Sequence, residues 1–172
     1  MIIVRPFQKN DSAAIATILK QMRSETYPGA LAGETDSSHR KWLNMYTAEK
    51  KWVAETDGLV CGHIQVMHAG NDIRKVLDTR GQMLLEVSRL FVAPNARMQG
   101  IGRHLLKTAS TWVTDAGGVP VLCVSNYLVD AITLYKAAGW SAAGEIRSSL
   151  NNDRLLVMVA GKNRNLLIRK NT

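Results

Sequence analysis

Residues 90–103 read LFVAPNARMQGIGR, and this stretch carries the strongest structural signal in the chain. Its apolar start, Leu90 to Val92, ends a predicted strand, because Pro94 cannot donate a hydrogen bond to a sheet. Gly100 and Gly102 follow where a helix is expected to begin, and glycine lets the main chain approach a ligand closely. Exposed N–H groups at a helix start bind phosphate oxygens, and the helix dipole adds to that attraction. The stretch therefore predicts a strand, an anion-binding turn and a helix.

The two arginines of this stretch, Arg97 and Arg103, can donate charge-assisted hydrogen bonds to the same anion. Two other phosphate-binding patterns do not fit. Leu105 takes the place of the third glycine in G-x-G-x-x-G, and no Gly-Lys-Ser/Thr follows as it does in a Walker loop. A glycine pair at a helix start is also compatible with close structural packing, so this pattern alone leaves two interpretations open.

Hydrophobic periodicity and turn signals predict further elements on both sides of residues 90–103. The chain is expected to open with an edge strand Ile2–Arg5 closed by Pro6, followed by a helix from about Ala13 that Asp11 or Ser12 caps and that has Ile15, Ile18, Leu19 and Met22 on one face. A loop Tyr27–Ser38 and a helix over about Ser38–Thr47 come next. A hairpin of Lys51–Glu55 and Val60–His68 around Asp57-Gly58, an irregular loop over 70–81 and a strand Met83–Val92 complete this part. After them we expect a helix from about Gly100 to Asp115, a strand Val119–Val124, a helix Val129–Ala138, and a hairpin of Trp140–Arg147 and Arg154–Val159 around Asn151-Asn152.

The resulting order, β-α-α-β-β-β-α-β-α-β-β, predicts an α/β fold with one mixed sheet and helices on its faces. A length of 172 residues suits one domain over 1–172, and apolar residues at 46% with charged residues at 21% are typical of a globular protein. No apolar run approaches the roughly 20 residues that cross a bilayer, and no export signal follows the first strand. Cys61 and Cys123 form no C-x-x-C pair, so we expect neither a disulfide scaffold nor a zinc site. We expect instead a reducing, cytoplasmic setting.

The formal net charge of +8 is concentrated in two places. Residues 87–114 contain four basic residues and no acid, and the tail 161–172 contains four more and no acid, which together equal the whole surplus. A concentrated positive field favours an anionic partner such as a nucleotide, a phosphorylated cofactor, nucleic acid or an anionic membrane. Composition alone does not choose among them, and a solvated terminus is the plainer interpretation of the tail.

Two sequence blocks resemble those of the GCN5-related N-acetyltransferase (GNAT) superfamily. The family's acyl-coenzyme A motif is a strand ending Leu-x-Val-x-Pro and then Arg/Gln-x-x-Gly-x-Gly/Ala, and this chain matches it at Leu90, Val92, Pro94, Arg97, Gly100 and Gly102. The family's later block is Ala-x-x-Leu-Tyr-x-x-x-Gly-Phe, and this chain is similar at Ala131, Leu134, Tyr135, Gly139 and Trp140. The predicted element order also agrees with the family from end to end. The resemblance implies a mostly antiparallel sheet in a single GNAT domain.

The resemblance also implies acetyl-coenzyme A as the acyl donor and assigns residues to it. The main-chain N–H groups from Met98 through Gln99, Gly100, Ile101 and Gly102 to Arg103 would hold the pyrophosphate, together with Arg97. Leu90, Phe91 and Val92 would pair with the pantetheine arm as an added strand, and an N–H there would polarise the thioester carbonyl. Tyr135 would protonate the departing thiolate. Leu128 stands where the family usually has an asparagine that contacts the cofactor, and Asn126 is the candidate to replace it.

Glu86 is the candidate general base. A lysine-like amine has a pKa of about 10.4, so a base must remove its proton before it can attack a thioester. Glu86 lies 11 residues before Arg97, where some lysine-acetylating members of the family carry a glutamate. An exposed glutamate, or one paired with Arg89 or another basic neighbour, is the plainer alternative. N-terminal acetyltransferases of the family place a glutamate where this chain has Cys123, which we interpret as an apolar filler rather than an acyl carrier.

Other residues give weaker signals. His63 and His68 are five apart on a strand and face opposite ways, so they cannot share a metal. His104 suggests a surface position, His39 lies in a polar segment before Trp42, and no metal site is expected. Tyr27, Trp42 and Tyr46 could line an acceptor pocket, although core packing explains Trp42 equally well.

The function that we predict is transfer of an acetyl group from acetyl-coenzyme A to a primary amine by direct attack in a ternary complex. The identity of the amine is left open, a homodimer is compatible with the family, and no membrane partner is expected. The first alternative is a degenerate, coenzyme A-binding sensor or scaffold of the same fold, which the departure at Leu128 favours. The second is a nucleic-acid-binding module that uses the basic tail, against which count an aromatic content of 6% and the lack of a binding motif.

Overall fold

The protein is described by a computed structural model that covers residues 1–22, 41–44, 46–77, 81–148 and 152–161. Its strands are β1 (Ile2–Pro6), β2 (Lys50–Thr56), β3 (Leu59–His68), β4 (Leu84–Val92), β5 (Val119–Ser125), β6 (Trp140–Arg147) and β7 (Arg154–Ala160). Its helices are α1 (Ser12–Met22), α2 (Asn71–Val76), α3 (Ile101–Asp115) and α4 (Val129–Ala137), with 3₁₀ turns at Lys9–Asp11 and Pro94–Ala96. The predicted strands and helices in the described ranges are present to within a few residues.

The seven strands form one sheet in the order β1-β2-β3-β4-β5-β7-β6. The pairs β1–β2, β2–β3, β5–β7 and β6–β7 are antiparallel, whereas β4 and β5 are parallel. The parallel register covers Leu84 to Glu86 of β4 against Val119 to Val121 of β5. These pairings confirm an α/β fold with a mostly antiparallel sheet.

The described residues fall into two compact units, and the first contains residues 1–67 and 89–109. The apolar face predicted for α1 is confirmed, since Ile15, Ile18, Leu19 and Met22 are all buried. β1 lies at the edge of the sheet, and Pro6 is its last residue. The β2–β3 turn has Asp57 and Gly58 at φ 52° and 75°, the left-handed conformation that an Asp-Gly hairpin turn requires.

An ion-pair network closes the start of this unit. The Arg5 guanidinium donates to both carboxylate oxygens of Asp11, at 2.8 Å each, and also to Glu55. These bonds hold the pKa of Asp11 below its usual value. The Asp11 carboxylate also accepts the Gln8 N–H at 2.7 Å. The Asp11 side chain therefore also bonds to the main chain at the start of its own 3₁₀ turn, Lys9–Asp11, which precedes α1.

The second unit contains the described residues of 68–88 and 110–172. A buried cluster holds it together and comprises Ala69, Ile73, Leu77, Leu84, Val119, Val121, Val157 and Val159. The prediction of an irregular loop over 70–81 is wrong for its first half, because Asn71–Val76 is helical. Ile73 and Leu77 are almost fully buried, and this burial stabilises a helix of fewer than two turns that propensity alone would not form.

Several predictions concern residues outside the described ranges. Of the helix expected over 38–47, Lys41–Leu43 is helical and Asn44 is in a turn. The loop with Tyr27, the residue His39, the turn residue Asn151 and the basic residues 162–170 of the tail all lie outside the described residues. They remain predictions.

Candidate active site

The turn between β4 and α3 has the left-handed positions that a main-chain cradle needs. After the 3₁₀ turn Pro94–Ala96, Met98 has φ 63° and Gly100 has φ 84°. A non-glycine residue with positive φ is uncommon, so Met98 marks a conformation that its surroundings impose. Its side chain is fully exposed, which shows that the constraint comes from the main chain. The helix then begins at Ile101, one residue after Gly100.

Packing on the apolar side fixes this helix start. Ile101 and Leu105 are 1% and 0% exposed, respectively. Gly62 of β3 lies directly beneath them, and a Cβ there would come within 3.0 Å of Leu105 Cδ1 and 3.1 Å of the Phe91 carbonyl oxygen. The close approach of β3 to α3 is therefore possible because residue 62 has no side chain.

The N–H groups of this turn face no acceptor among the residues that the structure describes. Within the described part of the chain, the main-chain N–H groups from Met98 to Arg103 have no hydrogen-bond partner, whereas the next one, His104, donates to the Gly100 carbonyl at 3.1 Å. These six consecutive N–H groups lie at the positive end of a 15-residue helix, where exposed N–H groups attract phosphate oxygens. The assignment of residues 98–103 to a pyrophosphate remains a prediction.

The two arginines of the turn are placed differently. The half-buried Arg97 donates from Nε to the Val92 carbonyl at 3.4 Å, which ties its guanidinium to the end of β4. Arg103 is exposed on the first turn of α3. Arg103 is therefore the side chain that can turn toward an anion at the helix start, while Arg97 also stabilises the turn.

The second half of β4 has a feature that the sequence did not indicate. Arg89 has φ 51° within the strand, a left-handed residue where an extended one is expected. Its carbonyl accepts a hydrogen bond from His63 Nδ1 at 3.0 Å, and the His63 ring stacks on Phe91 with centroids 5.2 Å apart. The Arg89 side chain donates to the Trp42 carbonyl at 3.2 Å, and its guanidinium lies 4.5 Å from the Trp42 ring and 5.4 Å from the Tyr46 ring. The sequence does not predict the left-handed conformation of Arg89, because an arginine rarely adopts it and no glycine or asparagine marks the position.

Trp42 and Tyr46 were candidates for an acceptor pocket. Trp42 is 9% exposed and packs against Phe91, with ring centroids 6.5 Å apart. Tyr46 is 40% exposed. Trp42 therefore has a packing role, and Tyr46 is the member of the pair that can meet a ligand.

In the second unit, Glu86 lies on β4 opposite Val121 of β5 and is half-buried. Burial raises the pKa of the Cys123 thiol, and the negative charges of Glu86 and Asp72 raise it further. A thiol with a raised pKa is a poor nucleophile, and Cys123 packs against the apolar cluster of this unit. These observations support the interpretation of Cys123 as a core residue.

Tyr135 lies on α4 and is 9% exposed, with its ring centroid 6.2 Å from that of Trp140. Gly139 ends the α4 segment at φ 86°, which explains why this block has a glycine there. Leu128 takes the N-cap position of α4 without a side-chain cap bond. Asn126, the candidate replacement for the absent asparagine, is exposed in the preceding turn, and its main-chain N–H donates to the Arg154 carbonyl at 3.3 Å.

No group of three or more His, Cys, Asp or Glu side chains in the described ranges is arranged to bind a metal ion. No helix in these ranges combines the length and the apolar character needed to span a membrane.

A family model described as acetyltransferase (GNAT) domain matches residues 47–142, more than half of the chain. The chain therefore belongs to the GNAT family.

Comparisons with individual proteins agree with this assignment. The chain is 30% identical over 95 residues to N-acetyltransferase 8 of Rattus norvegicus, a match that takes in 55% of this chain and 40% of the rat protein. The chain spans about two fifths of the length of the curated relatives it matches.

Two solved structures share the fold. Ribosomal-protein-alanine N-acetyltransferase of Brucella melitensis superposes with a TM-score of 0.68 at 22% identity, covering 91% of this chain and 98% of that one. PaiA N-acetyltransferase of Thermoplasma acidophilum, in complex with coenzyme A, superposes with a TM-score of 0.65 at 16% identity, covering 91% and 98%.

Proposed function

We propose that the protein transfers an acetyl group from acetyl-coenzyme A to a primary amine in a ternary complex. The observation that carries this proposal is the run of unpartnered N–H groups from Met98 to Arg103 in a chain of the GNAT family. These groups would hold the pyrophosphate, and Arg103 would add a charge-assisted bond. Leu90, Phe91 and Val92 would pair with the pantetheine arm, so that the thioester lies along the strand that also carries Glu86.

The proposed chemistry divides two proton transfers between two side chains. The amine nitrogen attacks the thioester carbonyl carbon, and Glu86 takes the amine proton, directly or through a water molecule. A main-chain N–H of β4 stabilises the negative charge that develops on the carbonyl oxygen. The carbon–sulfur bond then breaks, and the Tyr135 hydroxyl donates its proton to the departing thiolate. No metal ion takes part in this scheme.

The proposal is tested first by a panel of amines. Peptide lysines, peptide N-termini, polyamines, aminoglycosides and amino acids are each incubated with acetyl-coenzyme A, and release of free thiol is measured. We expect turnover on at least one of these classes. Calorimetric titration with coenzyme A accompanies the panel. Failure of the coenzyme to bind would refute the cradle as well as the reaction.

The role of Glu86 is tested by its pH dependence. Glu86→Gln should lower kcat/KM about 100-fold near neutral pH, since general base catalysis contributes about that factor or more. Activity should recover as the pH approaches the pKa of the amine, because the free amine no longer needs a base. Glu145→Gln, at an exposed pair with Arg154, is the matched control. A Glu86 variant with a wild-type pH profile would exclude Glu86 as the base.

A second candidate function is a coenzyme A-binding sensor or scaffold without catalysis. Leu128, in the place of the family's asparagine, is the observation that favours it. Tight coenzyme binding with no turnover on any amine of the panel would support the sensor. Turnover would eliminate it.

A further inference from the structure

A cavity of about 370 Å³ lies in the first unit beside the start of α1, and its described lining includes none of the residues 98–103. Its walls come from residues 7–10 after β1, the first turn of α1, residues 43–44, and strands β2 and β3. The described residues that line it are Phe7, Lys9, Asn10, Ser12, Ala13, Ile15, Leu43, Asn44, Lys51 and His63. A volume of a few hundred Å³ is that of a small-molecule site.

The cavity has a positive charge that no carboxylate offsets. Lys9 and Lys51 line it, and no Asp or Glu is among the described lining residues. Lys51 Nζ donates to Asn44 Oδ1 at 3.1 Å and lies 5.6 Å from the centroid of the Phe7 ring. Burial and the nearby positive charge of Arg89 both lower the pKa of Lys51, which means that the protein destabilises its cationic form. A bound anion would offset that effect. Asp11, between two lining residues in the chain, is already paired with Arg5.

His63 adds an acceptor to this cavity. It is 1% exposed, and burial lowers its pKa to about 4, so the ring is neutral near pH 7. A carbonyl oxygen can only accept, so Nδ1 carries the proton in the bond to Arg89, and Nε2 is left with a lone pair. In the described part of the protein, Nε2 has no hydrogen-bond partner. His63 lines the cavity, and a ligand that reaches Nε2 can donate to it.

Gln65 is a second buried polar group on this face of β3, although it is not among the described residues that line the cavity. It lies two residues after His63 and directly opposite Lys51 in the β2–β3 register, so the three side chains share one face. Gln65 is completely buried, and among the described residues neither Nε2 nor Oε1 has a hydrogen-bond partner. Buried amides in folded proteins are normally satisfied by protein, water or ligand.

We propose that this cavity binds a small organic anion that also carries a hydroxyl group. The anionic group would accept hydrogen bonds from Lys51 and Lys9, and the hydroxyl would donate to His63 Nε2. Phe7, Ile15 and Leu43 provide the apolar wall against which the carbon skeleton would pack. The site is distinct from the proposed coenzyme cradle and does not depend on the acetyltransferase reaction.

The test is calorimetric titration of the full chain at low ionic strength with saturating coenzyme A present. Coenzyme A occupies the cradle, so the anion cannot bind there. The probes are L-malate, glycerol 3-phosphate and uncharged glycerol. We expect binding of L-malate or of glycerol 3-phosphate, which distinguishes a carboxylate site from a phosphate site, and no binding of glycerol. Absence of binding by both anions would overturn the proposal, and so would glycerol binding as tightly as either of them.

Two variants with the same charge change locate the site. Lys51→Gln should weaken the bound anion about tenfold, since it removes one charge-assisted hydrogen bond. Lys50→Gln changes the neighbouring, exposed residue of β2 and should change the affinity less than about twofold. Equal effects of the two substitutions would show general electrostatic attraction and refute the site. The far-ultraviolet circular dichroism of both variants is recorded to confirm that they fold.

His63→Asn tests the hydroxyl contact. An asparagine amide can replace Nδ1 as donor to the Arg89 carbonyl, but it has no counterpart of Nε2. The variant should bind L-malate several-fold more weakly and leave binding of succinate, which lacks the hydroxyl, unchanged. If the wild-type protein binds malate and succinate equally, the assigned role of His63 is wrong.

Discussion

The proposed main-chain cradle, formed by the N–H groups of residues 98–103, and the proposed catalytic side chains Glu86 and Tyr135 are built in different ways. The cradle consists of N–H groups whose direction follows from two left-handed residues and from the packing of Ile101 and Leu105. Glu86 and Tyr135 depend instead on which way a single side chain points from β4 and from α4. A main-chain site tolerates variation of its side chains, whereas a side-chain site does not. The first should therefore fail through strain or loss of packing, and the second through loss of one chemical group.

The largest effect is expected at Tyr135. Tyr135→Phe keeps the ring packed against Trp140 and removes only the hydroxyl, so coenzyme affinity should change little. Loss of the general acid should lower kcat by about 100-fold or more. Tyr127→Phe, at a 49% exposed tyrosine of the same unit, is the control and should retain wild-type kcat. Wild-type turnover of Tyr135→Phe would remove this residue from the mechanism.

The next effect depends on pH and concerns His63 of β3, whose Nδ1 bonds the Arg89 carbonyl of β4. The folded-state pKa of His63 is lowered to about 4, below its unfolded value of 6.5, so the unfolded chain binds the extra proton first. The contribution of His63 to stability is complete above pH 6.5 and is lost as the pH falls toward 4. Between pH 7 and pH 5 the free energy of unfolding should fall by about 2 kcal/mol on this account.

Urea unfolding at pH 7 and pH 5 measures this loss, and His63→Gln should flatten the dependence in that range. His68→Gln is the control, because His68 is exposed on the same strand. Asp11 contributes to the pH dependence only at lower pH. Because its folded-state pKa is lowered, its contribution to the free energy of unfolding is complete above its ordinary pKa of 3.8 and is lost only as the pH falls below that value. An unchanged pH dependence in His63→Gln would show that the ring is not held neutral.

A third prediction concerns the packing that positions the helix start. Gly62→Ala places a Cβ within 3.0 Å of Leu105 Cδ1 and 3.1 Å of the Phe91 carbonyl oxygen, so β3 and α3 must separate. We expect a loss of stability of about 1–3 kcal/mol, as for other overpacked cores. Gly70→Ala is the control, since a Cβ there meets nothing within 4 Å. Equal melting temperatures for the two variants would contradict the proposed close approach.

The difference between the two sites also explains what the sequence could and could not predict. Gly100 and Pro94 are local requirements of the main chain, so the turn and the start of α3 could be predicted from residue types alone. The short helix α2 depends on burial of Ile73 and Leu77 against distant strands, which a local pattern of polar residues hides. The left-handed Arg89 is imposed by contacts with His63 and Trp42 that are 26 and 47 residues away, and its residue type gives no warning. The roles of Glu86 and Tyr135 rest on the family resemblance, because a carboxylate or a phenol has the same residue type whether or not it takes part in chemistry.

The smallest effect separates strain from function within the cradle. Gly100 and Gly117 have φ 84° and 75°, and a Cβ at either position meets no atom closer than 3.8 Å. Alanine at either site should therefore cost a similar backbone strain of about 1–2 kcal/mol. Only Gly100 lies among the N–H groups proposed to bind the pyrophosphate, so Gly100→Ala should also weaken coenzyme A about tenfold, the factor that corresponds to about 1.4 kcal/mol. Calorimetric titration of both variants measures the difference. A cradle formed by main-chain groups requires that coenzyme affinity fall in Gly100→Ala and not in Gly117→Ala, whereas equal affinities would place the pyrophosphate elsewhere.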